Sequence, residues 1–189
     1  METNMIVAQK IREFVNALQR PAVGRFWDEP ERKSIDIVRC DDLPQKGEQV
    51  CATIGLNHTN IGLVSGGLPL RIELIGACDI QIGQFQNMMA TAAFEIMDNR
   101  TGFPGYIIRN VISEYIHDSD MKHFLLTEPF LWEDAKSITV NGIHIAWLMT
   151  VPISEKEYEF ACSEGSDELE ELFEQKDIDV CNIYRRSVI

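Results

Sequence analysis

Apolar residues at Val7, Ile11, Phe14 and Leu18 recur at helical spacing, with Lys10, Arg12 and Glu13 on the other side, and predict a helix over about residues 4–19 that ends at Pro21. A polar, turn-rich stretch from Trp27 to Lys33 follows. The period then changes. Ile35-Asp36-Ile37-Val38 alternates as a strand does, and Val50–Leu56 and Leu70–Ile75 predict two further strands rich in β-branched residues. Asp41-Asp42, Pro44 and Gly47 form the first connection, and Gly62, Gly66, Gly67 and Pro69 punctuate the second. Phe85, Met88, Met89, Ala92 and Ile96 return to a helical stripe and predict a helix over residues 84–98 lying on the sheet. Methionines in such a stripe also suit a cofactor or a partner groove, but core packing is their commoner use and is expected here.

Gly102, Pro104 and Gly105 end that helix, and Tyr106–Ile112 and His123–Leu131 read as extended. Ile138–Val140 then meets Ile143–Val151 across Asn141-Gly142, a pair that tolerates the positive φ of a tight hairpin. Pro152 is expected to end the strand. Ser154 with Glu157 fits a capping box, and Asp167 with Glu170 fits a second one after the break at Gly165. Two short helices are therefore expected over about residues 154–176. Leu169, Leu172 and Phe173 form a narrow apolar stripe on the second. With no internal repeat and no domain-separating linker, the pattern predicts one α+β, or mixed α/β, domain over residues 1–189.

Charge changes this picture in one place. The chain carries 17 Lys+Arg and 30 Asp+Glu, a formal net charge of −13. From Ser154 through Asp179 there are eleven acidic residues against Lys156 and Lys176, a local charge of −9 that leaves −4 for the rest. That balance disfavours the phosphates of nucleic acid and anionic membranes, which are bound chiefly through Lys and Arg. Five cysteines with no CxxC spacing read as reduced thiols of a cytoplasmic chain. Neither a secretory signal nor a membrane-spanning run is expected.

Candidate chemistry is sparse. The sequence has no phosphate-binding loop, dinucleotide fingerprint, nucleophile elbow or HExxH motif. His117, Asp118, Asp120 and His123 offer ligand types for a divalent ion, but their spacing matches no recurrent template and reads as a polar loop. His58 falls in a turn. A nucleophile pair of Cys51 or Cys78 with His144 is disfavoured, because cysteines in apolar strands are usually inert packing residues. Arg185-Arg186 could clamp an external carboxylate or phosphate, but the acidic helices just upstream favour an internal ion pair. No catalytic residue, metal site or cofactor is expected.

The run Trp147-Leu148-Met149-Thr150-Val151-Pro152-Ile153-Ser154-Glu155-Lys156-Glu157, followed by Gly165, Leu169, Leu172, Phe173, Asp179-Val180 and Arg186-Ser187-Val188, resembles the C-terminal signature of the Suppressor-of-fused (SUFU)-like domain family. Thr53-Ile54-Gly55-Leu56, Arg71-Ile72-Glu73-Leu74, His123-Phe124-Leu125-Leu126 and Pro129-Phe130 are similar to earlier segments of that family in the same order. The resemblance extends from about Asp36 to Val188. It implies a central mixed β-sheet flanked by helices that acts by binding another protein. Eukaryotic members restrain a transcription factor, and compact bacterial members look like immunity proteins that neutralise toxins, including LXG-type nuclease toxins. It supplies no catalytic residues.

The expectation is thus an antitoxin that blocks a cognate toxin, a basic nuclease domain, by protein–protein contact. An adaptor that sequesters an endogenous regulator is the alternative, and an enzyme built on His117–His123 is a third. An acidic protein would be steered to the basic surface of a nuclease. The residues nominated for that contact are Glu164, Glu168, Glu170, Glu171, Glu174 and Asp177; a solvated helix face is the competing use of the same acids.

Overall fold

The computed structural model describes residues 2–17, 21–29 and 31–189. The described residues form α1 (Glu2–Phe14), β1 (Ala22–Trp27), β2 (Ser34–Asp41), β3 (Glu48–Ile54), β4 (Val64–Ser65), β5 (Leu68–Asp79), α2 (Phe85–Asn99), β6 (Ile107–Ile108), β7 (Met121–Thr127), β8 (Ile138–Val140), β9 (Ile143–Ser154), α3 (Glu155–Glu164) and α4 (Ser166–Gln175). A 3-10 turn, Leu56–His58, follows β3. The nine strands make one sheet in the order β1-β2-β3-β5-β9-β7-β6, with β4 beside β5 and β8 beside β9. β5 and β9 run parallel, from Leu70 opposite His144 to Ile75 opposite Met149, and the other pairs are antiparallel. The sheet is therefore mixed, and the α+β expectation holds.

Two cores form because the strands alternate between two covered faces. On one, the α2 stripe of Phe85, Met88, Met89, Ala92 and Ile96 is fully packed against Ile37, Cys51, Leu74, Phe124 and Leu148. The methionine stripe is core. On the other, Val7 and Ile11 of α1 and Leu169 and Phe173 of α4 join Val50, Ile75, Trp147, Met149 and Val151. The α1 stripe reaches Val15, while Leu18 lies outside the described residues. Gly76 of β5 lets the first core close: a Cβ there would be 2.2 Å from Thr150 Oγ1. No helix among the described residues is long and apolar enough to cross a membrane.

The hairpin forms as expected, with Asn141 and Gly142 at φ 50 and 76. Several expectations change. Ala22–Trp27 is an edge strand that the local pattern does not show, since Gly24 and the mostly exposed positions of β1 leave no clean alternation. Tyr106–Ile112 contains only the two-residue β6, and His123–Leu131 stops as a strand at Thr127. Pro152 does not end β9, which runs on to Ser154. Its carbonyl accepts from Arg185 Nη2 at 2.7 Å, so its nitrogen also faces away from β7, beyond the last parallel pair at Met149, where no ladder bond is lost.

Candidate partner-binding site

The C-terminal helices are set by their caps. Ser154 accepts from the Glu157 backbone N–H, and the Glu157 carboxylate accepts from the Ser154 N–H, so the expected capping box starts α3. The second box does not form. Gly165, at φ 123, caps α4 without a side-chain bond, and Asp167 falls inside the first turn, where its charge meets the helix dipole instead.

Behind these helices, Arg185 holds the C-terminal segment to α3. Its guanidinium donates to both oxygens of Glu157, Nη1 to Oε1 at 2.6 Å and Nη2 to Oε2 at 2.8 Å, and Nη1 also bonds the carbonyl of Arg186. The Val188 N–H donates to Glu157 at 3.0 Å, and the guanidinium lies 5.0 Å from the Phe173 ring centre. Both side chains are buried. The expected internal ion pair exists at Arg185, while Arg186 is exposed.

The capped helices leave a groove of about 600 Å³ between α4, the end of β7 and the segment after α4. Val151, Phe173, Ile178 and Val180 supply apolar lining, and Thr127 and Phe130 join from the β7 side. Phe130 is 55% exposed. Asp167, Glu170, Glu171, Glu174 and Asp177 bring carboxylates to the same groove. Among the described residues none of these five carboxylates is in an ion pair. Glu170 is half-buried, and its carboxyl is pushed above the ordinary value by burial first, then by Asp167 and Glu128.

Of the nominated residues, Glu170, Glu171, Glu174 and Asp177 thus meet at one groove. Glu164 ends α3 in solvent, and Glu168 turns back over Gly165, where an added Cβ would lie 2.1 Å from its Oε2; neither lines the groove. Sequence reasoning missed Asp167 and Phe130 here. The local pattern around Asp167 fits a cap, and nothing in it ties a loop phenylalanine to a helix about forty residues away.

The other candidates separate. His123 is buried; its Nδ1 accepts from the Asn110 N–H at 2.8 Å, which leaves Nε2 to donate to Glu155 at 3.0 Å. Burial lowers its pKa, with Glu155 opposing. Both ring nitrogens are engaged, so His123 has no lone pair for a metal shared with His117, Asp118 and Asp120. Burial pushes the Cys51 and Cys78 thiols up in the core, and His144 instead contacts Thr139 at 3.2 Å. Glu48, Asp179 and Cys181 bring three potential ligand atoms within 4.8 Å of one another, but the Cys181 thiol is pushed up to about 12, chiefly by burial, and Asp179 already accepts from the Cys181 N–H.

Residues 31–186 match the family described as Suppressor of fused protein (SUFU). The chain belongs to the SUFU family. It is also 41% identical over 172 residues to the "Immunity protein YqcF" of Bacillus subtilis (strain 168), a likeness covering 90% of each chain. Among solved structures, a SUFU homologue from Neisseria gonorrhoeae FA 1090 superposes with a TM-score of 0.73 at 17% identity, covering 100% of this chain and 98% of that one. Suppressor of Fused from Drosophila gives 0.70 at 11% identity, covering 98% of this chain and 51% of the longer fly protein. A chain of the Sufu–Fu complex crystal structure gives 0.71 at 12% identity, covering 98% of this chain and 92% of that one. At these identities the solved structures establish the shared fold. The mixed sheet with helices on both faces is the SUFU architecture.

Proposed function

We propose that this SUFU-family chain is an immunity protein that binds and neutralises a cognate toxin in the cell that makes both. The observation that carries the reading is the 41% identity, across 90% of both chains, to a protein named for immunity. The proposed means is direct protein–protein contact, with the acidic C-terminal helices meeting a basic toxin. An LXG-type nuclease fits, because a surface that holds nucleic acid is basic, and complementary potentials raise association rates by about 10- to 1,000-fold at low salt. The fold contributes placement: α4 is seated on the sheet through Leu169 and Phe173, so the helix that carries the charges is positioned before the partner arrives.

The test is co-expression with the neighbouring open reading frame, followed by a growth assay and purification of the complex. Rescue of growth and a stoichiometric complex are expected. A neighbouring product that is harmless alone, with capture of an endogenous regulator instead, would replace immunity by the adaptor reading.

A further inference from the structure

Resting on the immunity reading, we infer that the groove between α4 and β7 is the seat of a cationic, apolar-flanked segment of the partner, with a Lys or Arg side chain entering beside Glu170. Its volume of about 600 Å³ is large enough to enclose side chains. Its chemistry is divided as an amphipathic cation requires. Val151, Phe173, Ile178 and Val180 would take the aliphatic stem and flanking apolar side chains, while carboxylates stand where the charged head would emerge. Phe130, exposed at the groove, offers a ring face to a guanidinium or ammonium.

Among the described residues the fold gives these acids no ion-pair partner. Asp167 and Glu171, and Glu170 and Glu174, are like-charge pairs four residues apart on α4, a spacing that destabilises a helix. At its C-terminal end, where the dipole favours cations, Glu174 and Asp177 outnumber the one cation, Lys176 at the cap. Glu170 adds the cost of partial burial beside Asp167 and Glu128. A bound cation relieves all three. Nucleic acid would meet repulsion throughout. A divalent ion fits less well than an organic cation, since the groove carboxylates do not gather into a ligand set as Glu48, Asp179 and Cys181 do elsewhere.

The test compares two triple variants with the same change in net charge. Glu170→Gln/Glu171→Gln/Glu174→Gln neutralises the groove, and Glu31→Gln/Glu95→Gln/Glu114→Gln neutralises three exposed acids that lie outside α3, α4 and the groove. Where the toxin complex forms, the groove variant is expected to bind at least about tenfold more weakly with a shallower salt dependence, while the control stays within about twofold. Equal loss in both, or no loss in either, overturns the groove and leaves immunity standing. Should no toxin complex form, immunity fails and the groove is decided by NMR titration with an acetylated, amidated Arg/Leu peptide. Shifts at the Val151, Ile178 and Val180 methyls, absent in the groove variant and weakened by Phe130→Ser, support it. Absent shifts, or equal binding of free spermidine insensitive to Phe130→Ser, overturn it. Helical content and thermal midpoint show that each variant is folded.

Discussion

Arg185 carries more stability than its place in the irregular segment after α4 suggests. Arg185→Met keeps most of the apolar stem over Phe173 but removes the fork that meets Glu157 at 2.6 and 2.8 Å. Glu157 is fully buried and would retain only the Ser154 and Val188 N–H donors. A buried carboxylate stripped of its cation costs about 3–5 kcal/mol, against a total stability of about 5–15 kcal/mol for a typical domain. At about 2–4 °C per kcal/mol for a chain of this size, the midpoint should fall by about 6–20 °C. The pair itself is not the source of this figure, because taking two charges out of water roughly cancels their attraction; the cost lies in the orphan left behind. Glu157→Gln should therefore destabilise too, and Arg185→Met/Glu157→Gln should cost less than the two single changes summed. Urea unfolding followed by circular dichroism measures all three. A single Arg185→Met effect under about 1 kcal/mol, or strict additivity in the cycle, would refute the reasoning.

Two further outcomes follow from other sites. Gly76→Ala places a Cβ 2.2 Å from Thr150 Oγ1 and 3.0 Å from the Phe85 ring, so it should cost about 1–3 kcal/mol by overpacking, with part recovered in Gly76→Ala/Thr150→Ala; equal stability to wild type in urea melts would contradict this. His123 has its folded pKa depressed below 6.5, so the unfolded chain binds its proton more readily. Its contribution is present above the unfolded value and is lost as pH falls through the depressed folded value. The stability gap between wild type and His123→Asn should thus narrow from pH 7.5 toward pH 5, and a gap independent of pH would count against the buried neutral imidazole.

Local pattern determined much of this protein. The stripes at Val7–Ile11 and Phe85–Ile96, the Asn141-Gly142 turn and the Ser154/Glu157 cap were legible because each is an energy balance closed within a few residues: which face is apolar, which backbone angle is tolerated, which N–H needs an acceptor. The concentration of charge after Ser154 was legible in the same way, and helical spacing sufficed to place Glu170, Glu171 and Glu174 on related faces. It failed at Asp167, where a glycine in an unusual conformation took the capping position. It failed also at β1, an edge strand with too little burial to impose alternation.

Partnership between distant segments was decided only by the tertiary structure. β5 and β9 become parallel neighbours across the whole of α2 and β7, because covering both faces of one sheet satisfies their apolar rows together. The same closure brings Phe130, Val151 and Val180 under the acids of α4, and turns Arg185 inward to Glu157 while Arg186 stays in water. Sequence determines which side chains must leave water or keep it; which of them then meet is set by long-range packing, whose energy depends on all the elements at once.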